Sequence, residues 1–308
     1  MHYGFVIPKG DPRTVAELAH ELEESGWDGA FYWDGISLGG EWAGDVYDPW
    51  VVMAAMAMRT ERVRLGAIVT PPSRRRPWKL ARETMTLDRL SNGRLVVPVG
   101  LGAIDDQGFG NVGEATDRKT RAALLDESLQ ILTGLWSGEP FAFQGEHYRF
   151  EAMTFLPSPV QRPRPPIWVV AAWPRPRSLA RALRYDGILP NFIEEDGNHG
   201  TPTPERYAAL AAYVKEHRTE PGTFDIIADG VTPADDLAAA AEQVRPYAAA
   251  GATWWIESPW TPPNDIADLR RRIAAGPPRL LGYRLSASRE VEESRSRAEV
   301  GKTARRQW

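Results

Sequence analysis

Reactive side chains at workable spacing are scarce in this chain. The five histidines, His2, His20, His147, His199 and His217, are scattered, with no i,i+4 pair beside a Glu and no zinc-ligand spacing. There is no cysteine, which removes disulfides, thiol nucleophiles and thiolate metal sites. Neither a Gly-x-Ser-x-Gly elbow nor a Lys-bearing phosphate loop occurs. Gly100-Leu101-Gly102 follows a strand-like run, but the third glycine of a dinucleotide fingerprint is missing and no helix starts directly afterwards. The acidic pairs Asp105-Asp106 and Glu194-Glu195 fall on loops and read as solvated charges. Two carboxylates across a barrel mouth would suit a glycosidase, which counting carboxylates does not exclude. No metal site is expected, and no catalytic acid or base is assigned.

The elements that must position any chemistry alternate along the chain. Apolar, β-branched or aromatic runs at residues 3–7, 30–33, 63–69, 95–99, 167–171, 187–190, 224–228 and 253–257 read as strands. Most are apolar at nearly every position, as parallel strands covered on both faces are. Helical periodicity fills the gaps. One helix follows Asp11-Pro12 and stops at Ser25-Gly26, and a second follows Asp48-Pro49, with Asp48 as N-cap. Others are expected at 77–90, 118–136, 177–183, 203–217, 234–249 and 265–274. This predicts an α/β fold, a (β/α)8 barrel, with a doubly wound sheet as the alternative because periodicity does not show closure. Residues 141–150 read as a small hairpin inserted before the fifth strand, and the Gly-rich stretch 101–116 as a lid. The barrel is expected over 1–278, followed by a charged tail, 279–308, to which no function is assigned.

The 308 residues are 43% apolar, enough for one large core, and the net charge of −4 leaves no footprint for nucleic acid. No run approaches the roughly 20 apolar residues that span a bilayer. The N-terminus is too short in apolar length for a secretory signal. A cytoplasmic protein is expected.

The block Thr60-Glu-Arg-Val-Arg-Leu-Gly-Ala-Ile-Val-Thr-Pro71, then Arg74 to Glu83 (RRRPWKLARE) and Thr86 to Gly102 (TLDRLSNGRLVVPVGLG), resembles the bacterial luciferase-like family of flavin- or deazaflavin-dependent oxidoreductases. So do Leu125-Asp126-Glu127, Leu135-Trp136-Ser137-Gly138, Glu146-His147-Tyr148, the run Pro159 to Pro163, Pro166-Ile167-Trp168 and Asp186-Gly187. The likeness covers about residues 1 to 278, in order. It implies a (β/α)8 barrel that holds reduced FMN, or the deazaflavin coenzyme F420, at the C-terminal mouth. It places Trp33 and Asp34 at the end of the second strand, facing the ring system. Ile68, Val69 and Thr70 end the third strand, where relatives carry a non-proline cis peptide. Gly100 and Gly102 let a flat ring approach the fourth strand. Ala172, Trp173 and Arg175 stand before a helix that would hold the cofactor phosphate, and Asn191 is a phosphate-side neighbour. The chain departs from the pattern at Gly35 and Ala103, where relatives carry a His and a Glu, and at Trp173, where glycine is common.

The resemblance therefore implies a monooxygenase using reduced FMN and oxygen on a small organic substrate, with a separate flavin reductase and a homodimeric assembly. Trp33, Trp42, Trp173 and Trp255 would keep water from the reaction. Deazaflavin-dependent hydride transfer is the alternative, and a cofactor-less accessory barrel, motivated by the three departures, is a third. Substrate choice is expected in the loops 35–47, 101–116 and 192–204.

Overall fold

The computed structural model describes residues 1–39, 44–103 and 105–280. Eight parallel strands form one sheet: β1 (His2–Val6), β2 (Gly29–Tyr32), β3 (Arg64–Ala67), β4 (Val97–Val99), β7 (Ile167–Trp173), β8 (Gly187–Phe192), β9 (Asp225–Gly230) and β10 (Trp254–Glu257). Their order is β3-β2-β1-β10-β9-β8-β7-β4. Parallel bridges Leu65–Leu95 and Thr70–Val99 join the two ends and close the ring, which removes the doubly wound alternative. The antiparallel hairpin β5 (Phe141–Gln144) and β6 (Arg149–Met153) stands before β7, as expected.

The helices begin where the capping chemistry says they should. Asp11 accepts from the N–H groups of Arg13 and Thr14 to start α1 (Pro12–Glu24), and Asp48 accepts from Trp50 and Val51 to start α2 (Pro49–Arg59). α3 (Pro77–Leu90) ends before Asn92 and Gly93, both with positive φ. α4 (Arg118–Trp136) starts from Asp117, and α5 (Pro176–Ala182) and α6 (Pro204–His217) each carry Pro first. α7 (Leu237–Ala249) starts later than the expected 234, because Asp236 is its cap. α8 (Ile266–Ala274) opens with a capping box of Asp265 and Asp268.

Strand alternation divides the core in two. Outward side chains such as Phe5, Tyr32, Leu65, Val97 and Val169 pack under the helices. Inward ones, Val6, Phe31, Val96, Trp168, Ile227, Trp254 and Ile256, form a separate cluster that fills the barrel. Trp254 meets Trp168 edge-on, centroids 5.2 Å apart, and Phe31 at 6.0 Å. Its neighbour Trp255 faces the other way, against Tyr247 at 5.3 Å, and donates to Glu257. Trp255 is therefore an outer packing residue and not part of the mouth. Trp42 lies outside the described residues.

Gly66 on β3 marks how tightly the barrel closes. A Cβ there would sit 2.9 Å from the Val96 carbonyl oxygen, a backbone atom that cannot turn aside. Gly66→Ala is expected to cost about 1–3 kcal/mol, the usual range for overpacking. Urea denaturation checks this, and an unchanged midpoint would contradict the closure described.

Candidate active site

At the C-terminal end of the barrel the inward side chains change character. The bulky layer of Phe31, Trp168 and Trp254 is sealed. Above it stand Ile68, Val170, Ala172, Leu189 and Asn191, all partly open to solvent, and Asp229, which is exposed. Pairing sets Ala172 beside Asn191 and Asp229 beside Ile256, and the β8–β9 register continued puts Asn191 next to Asp229. The mouth is thus a recess with an apolar floor and one polar wall. On that wall Asn191 Oδ1 accepts from His199 Nδ1 at 2.8 Å. Among the described residues, Asn191 Nδ2 and the Asp229 carboxylate have no hydrogen-bond partner.

Of the residues assigned by resemblance, Ile68, Ala172 and Asn191 meet at this recess. The Ile68–Val69 peptide bond is cis, as relatives' would be. Gly100 lies against Val170 and Val69, and a Cβ would come within 3.2 Å of both side chains. Gly102 has a φ of 79°, and its Cβ position is 2.8 Å from Phe109 and from Pro71. The chain's own packing therefore requires both glycines. Thr70 is fully buried, and its Oγ1 has no partner among the described residues. Trp33 donates to the Pro8 carbonyl at 2.9 Å and lies where a side chain at position 35 would go, 2.5 Å from a Gly35 Cβ. A side chain at position 35 would have to displace the Trp33 indole. Trp173 is turned away from the mouth and meets Tyr213 of α6 edge-on at 5.6 Å, so its indole does not crowd an anion held beside Ala172.

Asp34 does not face the recess. Its side chain is fully buried and bonded to Arg75 at 2.8 Å and Arg74 at 3.0 Å. Arg74, 1% exposed, also binds Asp106, which accepts from the Ile36, Ser37 and Gly108 N–H groups. The solvated reading of Asp106 is overturned, because Ile36 and Ser37 after β2 and Arg74 after β3 draw the carboxylate inside. Glu194 instead pairs with Arg206 at 2.6 Å near the surface. Phe109 lies under Arg74 at 4.9 Å and under Arg121 at 5.1 Å, while Arg121 of α4 donates to the Leu101 and Gly102 carbonyls. Residues 101–103 and 105–116 are thus fastened to the loops after β2 and β3, not a loose lid. Burial alone would raise the Asp106 carboxyl, but the Arg74 hydrogen bond and the Gly108 and Ser37 amides outweigh it and hold it below the usual range.

Sequence reasoning missed Arg74, Arg75, Asp106, His199 and Asp229. The run of three arginines at 74–76 was the available signal for the first two. Asp229 was missed because strand β9 was expected to stop at 228; carried one turn of the alternation further, Ile227 and Asp229 share a face.

A cavity of about 1190 Å³ opens at the opposite end, beneath Trp168 and Trp254. Its wall is charged, and several of these charges pair with each other, as in Arg62 with Glu23 and Arg164 with Asp186. Barrel enzymes place their chemistry at the C-terminal ends of strands, and the mouth is therefore the candidate site.

A model of the luciferase-like monooxygenase family matches residues 3–306. The chain belongs to that family. It is 33% identical over 184 residues to an F420-dependent glucose-6-phosphate dehydrogenase of Nakamurella multipartita, covering 58% of this chain and 52% of the dehydrogenase. The match thus spans about half of that protein's length. A flavin-dependent trigonelline monooxygenase, oxygenase component, of Acinetobacter baylyi is 32% identical over 133 residues, covering 43% of this chain and 36% of the relative. The solved F420-dependent tetrahydromethanopterin reductase of Methanopyrus kandleri superposes with a TM-score of 0.70 at 17% identity, covering 89% of this chain and 96% of that one, a likeness of fold. Family members are thus named for both cofactors and for both reaction types. Among the described residues, no helix is long and apolar enough to cross a membrane.

Removing one partner from a buried ion pair typically costs about 3–5 kcal/mol, and Arg74→Ala is expected to fall in that range by urea denaturation. The depressed Asp106 pKa stabilises the fold above the unfolded value of about 3.9 and ceases to do so as pH falls through the lower folded value. Wild-type stability should therefore drop below about pH 4, and less steeply in Asp106→Asn; equal acid slopes would refute the pairing.

Proposed function

We propose that this chain is an oxidoreductase that holds a flavin-type cofactor in the C-terminal mouth, within a functional unit of residues 1–278. The observation that carries this reading is the change from a sealed aromatic layer to aliphatic, partly open side chains at Ile68, Val170, Ala172 and Leu189. A flat ring system would lie on that floor, between Ile68 and Ala172, with the Asn191 amide at its edge. Arg175 and Arg177 support a place for the anionic tail. Both are exposed beyond the end of β7, and neither makes an ion pair among the described residues. The start of α5 adds little, since the Arg175 and Ser178 N–H groups are already bonded and Pro176 has none. The residues present fit the group, with side-chain cations in place of a glycine-rich phosphate loop.

Reduced FMN with oxygen, acting on a small organic substrate, is the first reading. When bound, such a cofactor supplies the two-electron chemistry. The chain orients it on an apolar floor, sets the Asn191–His199 pair against it, and keeps the approach rigid through the Arg74 network. A separate reductase would deliver the reduced flavin, consistent with a relative named as an oxygenase component. Hydride transfer with the deazaflavin coenzyme is the second reading, favoured by the relatives named F420-dependent. The accessory-barrel reading loses one of its motives, because Trp173 is turned aside.

Anaerobic absorbance titration of the full chain separates these readings. Uptake of reduced FMN supports the first, and uptake of the deazaflavin without FMN replaces it with the second. Uptake of neither overturns the proposal. Arg175→Glu should weaken FMN binding about tenfold or more and leave riboflavin, which has no phosphate, unchanged; equal losses for both would remove the tail from Arg175.

A further inference from the structure

We infer that the Asp229 carboxyl group supplies the proton consumed when oxygen is reduced in the mouth. The inference rests on the FMN reading. Asp229 stands on the inward face of β9, one alternation above Ile227 of the barrel filling, and on the same level as Ile256. On the neighbouring inward positions are Asn191, Ala172, Leu189 and Ile256. Asp229 is thus the one carboxylate among the inward-facing mouth side chains described, and it forms no hydrogen bond or ion pair among the described residues. Structural carboxylates of this chain look different: Glu23, Asp88, Asp106, Asp186 and Glu257 are each held by backbone amides, and most by an arginine or other side-chain donor as well.

The groups around Asp229 leave it without a counter-charge. Tyr207 of α6 and Tyr247 of α7 lie near it, and its charge helps raise both phenols, though burial is the larger cause. His199, on the loop after β8, is engaged by Asn191. On β10, Glu257 turns outward to Arg272 and Thr232. The carboxylate is open to the recess yet surrounded by protein, and this loss of solvation raises its pKa. A carboxyl group with a raised pKa, standing beside the apolar floor and still reached by water, can pass on a proton and be reloaded.

Reduction of oxygen to hydrogen peroxide takes two electrons and two protons. Both electrons and one proton come from the anionic reduced flavin. The second proton comes from Asp229: its O–H bond breaks, an O–H bond of the peroxide forms, and water returns the proton to the carboxylate. No organic substrate is needed for this turnover, so the step can be read before the natural substrate is known.

The test uses the full chain in excess over dithionite-reduced FMN, mixed with oxygenated buffer across a pH series. Flavin absorbance reports reoxidation. In the wild type the rate should fall as pH rises through the Asp229 pKa. Asp229→Asn should slow it about a hundred-fold or more, the lower end for general acid catalysis, and flatten the profile. Asp229→Glu should restore a pH-dependent profile. FMN affinity is measured in both variants so that rates are compared at full occupancy, and thermal melts check that both fold. Bound FMN with an unchanged rate and profile in Asp229→Asn overturns the inference alone. Absence of FMN uptake by the wild type overturns the cofactor reading instead, and the inference with it. An independent arm needs no cofactor: ¹³C carboxyl titration of the free protein should place Asp229 above the usual aspartate range, and an ordinary titration would count against it.

Discussion

One buried guanidinium organises the mouth of this barrel. Arg74 sits between Asp34 and Asp106, with Arg75 completing a set of two cations and two anions that leaves no net charge behind. Each carboxylate belongs to a different loop, one after β2 and one after β4, and the arginines come from the loop after β3. Burying so many charges costs solvation that only near-complete pairing offsets. The loops therefore have one mutual arrangement that satisfies the network and many that leave a charge stranded. Phe109, held beneath Arg74 and Arg121, extends the same fixture to α4. The recess beside it inherits its shape from this constraint.

How much of this was legible depended on range. The helices followed from caps a few residues away, such as Asp11, Asp48 and Asp265, and the strands from apolar runs that needed no partner to be recognised. Closure was not legible, because it needs the first strand to pair with the last, His2 beside Trp254. Asp34 drew attention by position, but its role depends on two arginines some 40 residues downstream. Asp106 resembled a solvated loop acid because its sequence neighbours are polar; its environment is supplied by residues 32 and about 70 positions away. Gly35 and Trp173 looked like losses of function on the sequence. In space, Trp33 occupies the volume beside Gly35, and Tyr213 draws Trp173 outward.

The two ends of the barrel are chemically unlike, separated by the layer of Phe31, Trp168 and Trp254. Beneath it lies a wide cavity in which several arginines and acids pair with one another, as Arg164 does with Asp186. Above it stands the mouth, whose polar groups Asn191 and Asp229 still have bonding capacity to offer among the described residues. Volume favours the lower end and unspent chemistry the upper one, and a site that binds and turns over a ligand needs the latter.

The decisive measurement is a crystal structure of the full chain soaked with FMN and, separately, with the deazaflavin coenzyme. Ring density is expected in the mouth, against Ile68 and Ala172, with the phosphate toward Arg175. Density in the cavity beneath Trp168 and Trp254, or a mouth that stays empty with both cofactors, would contradict it.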